Sequence, residues 1–184
     1  NFFPTGYGFP SFTLLGTRVL QLPFIPETSL KHEIAHCWWG NGVLVDYKTG
    51  NWCEGLTTYV SEHLSKERES EQTARVYRVR ALTDYALLAA GEADFPLAAF
   101  RSRNSPASQA VGYAKSMFVF HMARRKIGDE NFWSALRDVY QGFSLQKAAW
   151  ADFKKAFVSA SDWPGKAADA YFSQWIARRG APSL

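Results

Sequence analysis

The run His32-Glu33-Ile34-Ala35-His36 constrains this chain more than any other stretch. Two histidines four residues apart lie one turn apart on the same face of an α-helix, at 3.6 residues per turn. From there both imidazoles can reach one cation, at Zn–N distances of about 2.0–2.1 Å. Glu33 points between this face and the opposite one. It can stand beside such a cation without binding it, where a general base for an attacking water must be. Leu30, Ile34 and Trp38 fall on the far face and are expected to anchor the helix in a core. The same residues also suit an ordinary amphipathic helix with one buried and one solvent-facing histidine.

A tetrahedral catalytic zinc needs a third protein ligand and an open position. The segment Trp52-Cys53-Glu54-Gly55-Leu56-Thr57-Thr58-Tyr59 offers one in Glu54, near the start of a second helix that the intervening turn returns antiparallel to the first. Glu54, Thr57, Thr58, Ser61 and Glu62 share one face of it, and Leu56, Tyr59, Val60, His63 and Leu64 the other. The polar stripe is either a solvated surface or a ligand with hydroxyls that orient its neighbours.

Hydrophobic residues make up 47% of the 184 positions, charged residues 21% and aromatics 16%, which excludes disorder and suits one domain with one core. Turn residues break up 1–26, so strand and turn are expected there. Helices are expected at about 27–39, 52–66, 70–91, 106–127, 130–142, 148–160 and 165–179, with a short extended piece over 43–47. The class is therefore mainly α with a small β portion at the front. No apolar run is long enough to span a membrane. The net charge of +4 is mild and no basic stripe is present, so no nucleic-acid partner is expected. The chain opens Asn1-Phe2-Phe3-Pro4 without a signal peptide, and the expectation is a piece of a longer protein whose compartment is not readable.

Several segments together resemble one family. His32-Glu-Ile-Ala-His36-Cys-Trp-Trp-Gly40-Asn41 is similar to the HExxHxWFGN segment of the gluzincin metallopeptidases of the aminopeptidase N family. Cys53-Glu54-Gly55-Leu56-Thr57-Thr58-Tyr59 resembles their NEGFASY segment. Val111-Gly112-Tyr113-Ala114-Lys115-Ser116 resembles SYxKG, Ile127 to Phe132 the GEENF turn, and Trp175 through Pro182 the closing W…G-x-P. The resemblance implies the helical part of a thermolysin-like catalytic domain, with a β remnant over 1–26 and a helical subdomain over 27–184. It implies one zinc ion on His32, His36 and Glu54, Glu33 as the catalytic carboxylate, and Tyr113 as donor to the oxyanion. The implied reaction is hydrolysis of peptide substrates, taken from the N-terminal end. On the residues alone, Tyr113 reads first as an aromatic core position beside Met117 and Phe120, and Lys115 as a solvated helix charge.

The match departs from the family in three places. Seventeen residues separate His36 from Glu54 where the family usually has eighteen, and the turn 48–51 is expected to absorb the difference. The family commonly carries a Glu seven residues after the third ligand; here Ser61 holds that place and Glu62 follows. No GxMEN segment, which grips a substrate's α-amine, is visible: it is deleted if 7–15 match the preceding strand of the family, or it lies before Asn1. Segment 11–20 is then an alternative edge strand for internal peptides, and Glu27 and Glu92 have no spacing to recommend them. The missing anchor opens a second reading, an inactive module that keeps the fold and perhaps the zinc and binds partners. Cys37 and Cys53 pair as a disulfide, implying an oxidising compartment, or are buried thiols; as ligands they are disfavoured because they should face away. His63 and His121 read as packed or surface histidines, and Trp38 and Trp39 as core or as walls of the cleft. Oligomeric state is not legible.

Overall fold

The computed structural model describes residues 6–25 and 28–181. Two short strands open it: β1 (Gly6–Gly8) and β2 (Thr13–Leu15) form an antiparallel hairpin with Tyr7 opposite Leu14. A single turn, α1 (Thr17–Leu20), follows, so 11–20 is not one continuous strand; its second half is helical. Then comes α2 (Ser29–Ala35), whose last turn loosens through Trp39. The extended piece expected over 43–47 is β3 (Leu44–Val45). Its partner, unforeseen in the sequence, is β4 (Lys147–Ala148), which pairs with it in parallel.

The remainder is helical. Helix α3 runs over 53–69 and carries a π turn, Tyr59–His63, between Cys53–Thr58 and Leu64–Glu69. Ser70 accepts from the Thr73 amide and caps α4 (Glu71–Leu88). Helix α5 runs over 106–127, opened by a Ser105–Ser108 capping box with Pro106 in its first turn; it too carries a π turn, Ala110–Lys115. Gly128 ends it with a φ of +83°, and α6 (Asp129–Gly142) follows. The last two are α7 (Trp150–Ser159) and α8 (165–177), whose final turn is again π.

The core lies behind the His32–His36 segment rather than around it. Trp52, Tyr59, Phe120, Phe132, Phe153 and Phe157 are fully buried there, each contributing on the order of 2–3 kcal/mol by leaving water. The Trp52 indole donates to the Ala148 carbonyl at 2.7 Å, tying the start of α3 to β4. Helix α2 sits on this body differently from its expected pattern. Ile34 and Trp38 are 44% and 51% exposed, while His32 and Glu33 are buried. The polar face of α2 is the one that packs, because it is covered by β1 on one side and α3 on the other. Trp39 belongs to the core and Trp38 to the surface, and neither lines the cleft.

Lys115 is also misread by the sequence pattern. It is 2% exposed, and its ammonium donates to the Arg178 carbonyl at 3.1 Å with Asp94 3.9 Å away. Asp94 in turn accepts from the Gly180 amide, so this buried lysine clasps the C-terminal segment to the helix that carries Tyr113.

Candidate metal centre and active site

The turn between α2 and α3 absorbs the short spacing. Gly50 takes a φ of +106° against the Leu97 carbonyl, which only glycine does without strain. Asn51 then anchors the chain: its amide donates to the Arg101 carbonyl at 3.0 Å, and its oxygen accepts from the Cys53 amide at 2.9 Å, starting α3. Glu54 therefore faces α2 despite the missing residue. One Glu54 oxygen lies 3.3 Å from His32 Nε2 and 3.5 Å from His36 Nε2. One donor atom from each of His32, His36 and Glu54 lies within 4.8 Å of the others, and among the described residues this is the sole such cluster. Two imidazoles and one carboxylate form a donor set suited to zinc.

The electrostatics agree with a site organised for a cation. Burial pushes the Glu54 carboxyl up, but the two histidines outweigh it and hold it well below the usual range. Burial pulls His32 down, and Glu54 and Glu62 more than reverse this, lifting it to about 9. His36 is pulled down by burial and lifted to about 10 by Cys53 and Glu54. The second nitrogens are held too. His36 Nδ1 is 2.9 Å from the Trp39 carbonyl, which fixes the proton there and frees Nε2. Thr57 Oγ1 lies 3.4 Å from the same nitrogen.

His32 Nδ1 faces Glu62 Oε1 at 3.3 Å. The sequence placed Glu62 on the polar face but assigned it no task, because it stands eight residues from Glu54. At about 100° per residue that position points about 80° away from Glu54, whereas Ser61 at seven would nearly align. The π turn Tyr59–His63 adds one residue to the helix and rotates Glu62 into the aligned place. Ser61 instead donates back to the Thr57 carbonyl at 2.7 Å. Tyr77 donates to the other Glu62 oxygen at 3.0 Å.

Glu33 is 9% exposed and lies under β1. Burial raises its pKa, the two histidines oppose the rise, and the Gly8 amide donates to it. The close approach of β1 requires glycine. A Cβ on Gly8 would meet the Glu33 carbonyl and His36 Cβ at 2.7 Å, and one on Gly6 would meet the Glu33 side chain at 2.8 Å. Asn41 pins the strand by donating to the Gly8 carbonyl at 3.0 Å. The strand beside the cleft is thus β1, not the 11–20 segment.

Tyr113 leaves α5 from its π turn and stacks on His32, ring centres 5.9 Å apart. Burial and then the Glu54 carboxylate raise its pKa, so the phenol keeps its proton and can donate. Together these groups line a cleft of about 510 Å³.

Both cysteines are free. Cys53 does not face away: its sulfur is 3.2 Å from His36 Nδ1 and 3.1 Å from the Trp39 carbonyl, and it lines the cleft. His63 and His121 pack against each other, ring centres 4.9 Å apart, behind the site. Glu92 is exposed away from the cleft, and Glu27 lies outside the described residues.

The chain is 26% identical over 160 residues to mitochondrial aminopeptidase 2 of Saccharomyces cerevisiae, covering 84% of this chain and 16% of that protein. It is 24% identical over 163 residues to aminopeptidase N of Lactococcus lactis, covering 82% and 18%. It therefore spans less than a fifth of these relatives. Among solved structures, a mutant M1 zinc metallopeptidase of Deinococcus radiodurans bound to a Tyr-Ser-Ala substrate superposes with a TM-score of 0.67 at 22% identity, over 94% of this chain and 36% of that one. The Deinococcus radiodurans M1 zinc metallopeptidase gives 0.62 at 26% identity, over 83% and 33%. The fold is that of the helical catalytic subdomain of thermolysin-like enzymes. Residues 27–175 match the peptidase family M1 domain, and the chain belongs to that family.

Proposed function

We propose that this chain carries the catalytic centre of a zinc-dependent peptidase of aminopeptidase type. One observation carries the reading: His32, His36 and Glu54 converge from two helices with Glu33 and Tyr113 facing the same cleft. The relatives' aminopeptidase names and the tripeptide bound by the Deinococcus protein support peptides as substrates.

His32, His36 and Glu54 would hold one zinc ion, which when bound polarises a carbonyl and acidifies water. Glu33, raised by burial, is a base able to take a proton from the attacking water and deliver it to the leaving amine. Tyr113 donates from its hydroxyl to the carbonyl oxygen as negative charge develops there. Glu62 and the Trp39 carbonyl keep both imidazoles in the tautomer that presents Nε2 to the ion.

Glu33→Gln tests this directly. Turnover of tripeptides falls about 10²–10⁴-fold while zinc content by mass spectrometry is unchanged. Tyr113→Phe costs about 10²–10³-fold in kcat with little change in KM. A second reading, a peptidase-like module that binds without cleaving, is favoured by one observation: among the described residues no cleft carboxylate is left over to grip a substrate amine. Wild-type protein that holds zinc and cleaves no peptide establishes that second reading.

A further inference from the structure

Among the described residues the cleft carries one cationic side chain other than its histidines, and the proposed chemistry leaves it unused. Arg103 lines the cleft with its guanidinium 5.9 Å from the centre of the Tyr113 ring. Tyr113 in turn stacks 5.9 Å from His32. The guanidinium is thus no further from the candidate ligands than about four residues of extended peptide, at about 3.4 Å each.

The backbone that presents it is held on both sides. Arg101 donates to the Ala98 and Phe100 carbonyls at 2.7 and 3.0 Å. Asn104 and Ser105 donate their amides to Ser108 Oγ at 2.9 and 2.8 Å. Ser102 and Arg103 are the two residues between these pins, and both line the cleft. The cation–π contact with Tyr113 further restrains the side chain.

The charges of the cleft are unevenly committed. Glu54 faces His32 and His36, Glu62 faces His32, and Glu33 accepts from the Gly8 amide. Arg103 forms no ion pair among the described residues. Among the described residues a substrate ammonium finds no free carboxylate there, whereas a substrate carboxylate finds a free guanidinium, whose planar fork matches it with two parallel hydrogen bonds.

We propose that Arg103 is a specificity-determining residue that binds a carboxylate of the substrate, within about four residues of the bond cleaved. That carboxylate is the C-terminus of a short peptide or an Asp or Glu side chain. The proposal rests on the peptidase reading for its substrate class.

Binding separates it from that reading. The zinc-loaded full-length protein carrying Glu33→Gln is titrated calorimetrically with Ala-Ala-Ala, its C-terminal amide, and the amides of Ala-Asp-Ala and Ala-Asn-Ala. The charged member of at least one pair binds about 10-fold more tightly, the worth of one charge-assisted contact. The ratio falls to about 1 in Arg103→Gln and recovers in part in Arg103→Lys. A preference in the first pair assigns the C-terminus, and one in the second a side chain. Equal binding within both pairs, a ratio indifferent to Arg103→Gln, or no binding of any peptide overturns the proposal. Wild type that shows the Arg103-dependent ratio yet cleaves none of the four keeps the proposal and removes the peptidase reading.

Discussion

Helix α3 separates two histidine pairs that have opposite electrostatic fates. On one side His32 and His36 face Glu54 and Glu62 and are lifted to about 9 and 10. On the other His63 and His121 stack beside Tyr59 and Arg78, and both are lowered to about 4. Burial pulls all four down. What differs is the neighbours: Glu54 and Glu62 at His32, and Cys53 with Glu54 at His36, reverse the pull in the first pair, whereas Arg78 and Arg124 add to it at His63. Arg78 donates to His63 Nε2 at 3.1 Å, so that ring accepts and stays neutral. Glu62 and His63 are adjacent in the same π turn yet serve opposite sides. Spacing thus allows two histidines to share a cation, and the groups that surround each ring set whether its electrostatics suit one.

The same kind of substitution should therefore have opposite consequences on the two sides. His36→Gln is expected to empty the site and lower turnover on the order of 10³-fold or more, with the helical circular-dichroism signal retained. His63→Phe keeps zinc and turnover, read by metal analysis and a tripeptide assay. Zinc loss in His63→Phe would erase the distinction. Glu62→Gln sharpens it: the carboxylate charge that faces His32 Nδ1 at 3.3 Å is lost, and zinc affinity falls about 10–100-fold in competition with a chelator. Unchanged affinity would mean that the π turn has no bearing on the metal.

The smallest effect is on acid stability. The folded pKa of His63 lies at about 4, below its ordinary 6.5. Below pH 6.5 the unfolded chain takes up a proton that the folded chain refuses, so stability falls as pH drops from 6.5 towards 4. His63 alone accounts for about 2 kcal/mol by pH 5. Urea unfolding of chelated protein at pH 7 and pH 5 measures the loss, and His63→Phe should reduce it. An identical loss in that variant would place the acid sensitivity elsewhere.

Much of the fold was legible because helix punctuation is local. Ser105 with Pro106, and Gly128, act within four residues of themselves, and the boundaries they mark agree with the structure to within a few residues. The strand pair β3–β4 was not legible, since it joins residues about a hundred positions apart. Lys115 read as a surface charge because its partners, Asp94 and Arg178, come from other segments. Ile34 and Trp38 read as core because amphipathic spacing assumes that the apolar face is the covered one, whereas here β1 and α3 cover the polar face.

By itself the sequence determined that two imidazoles share a helix face with a carboxylate between them, and that Glu54 opens the next helix. A 3.6-residue period and a turn of limited length leave little other choice. Only the tertiary structure decided that Glu62 rather than Ser61 orients His32, that glycines let β1 lie on Glu33, and that Arg103 overlooks the cleft. A π turn changes helix phase without any distinctive residue, and the approach of one segment to another is set by packing across the whole body.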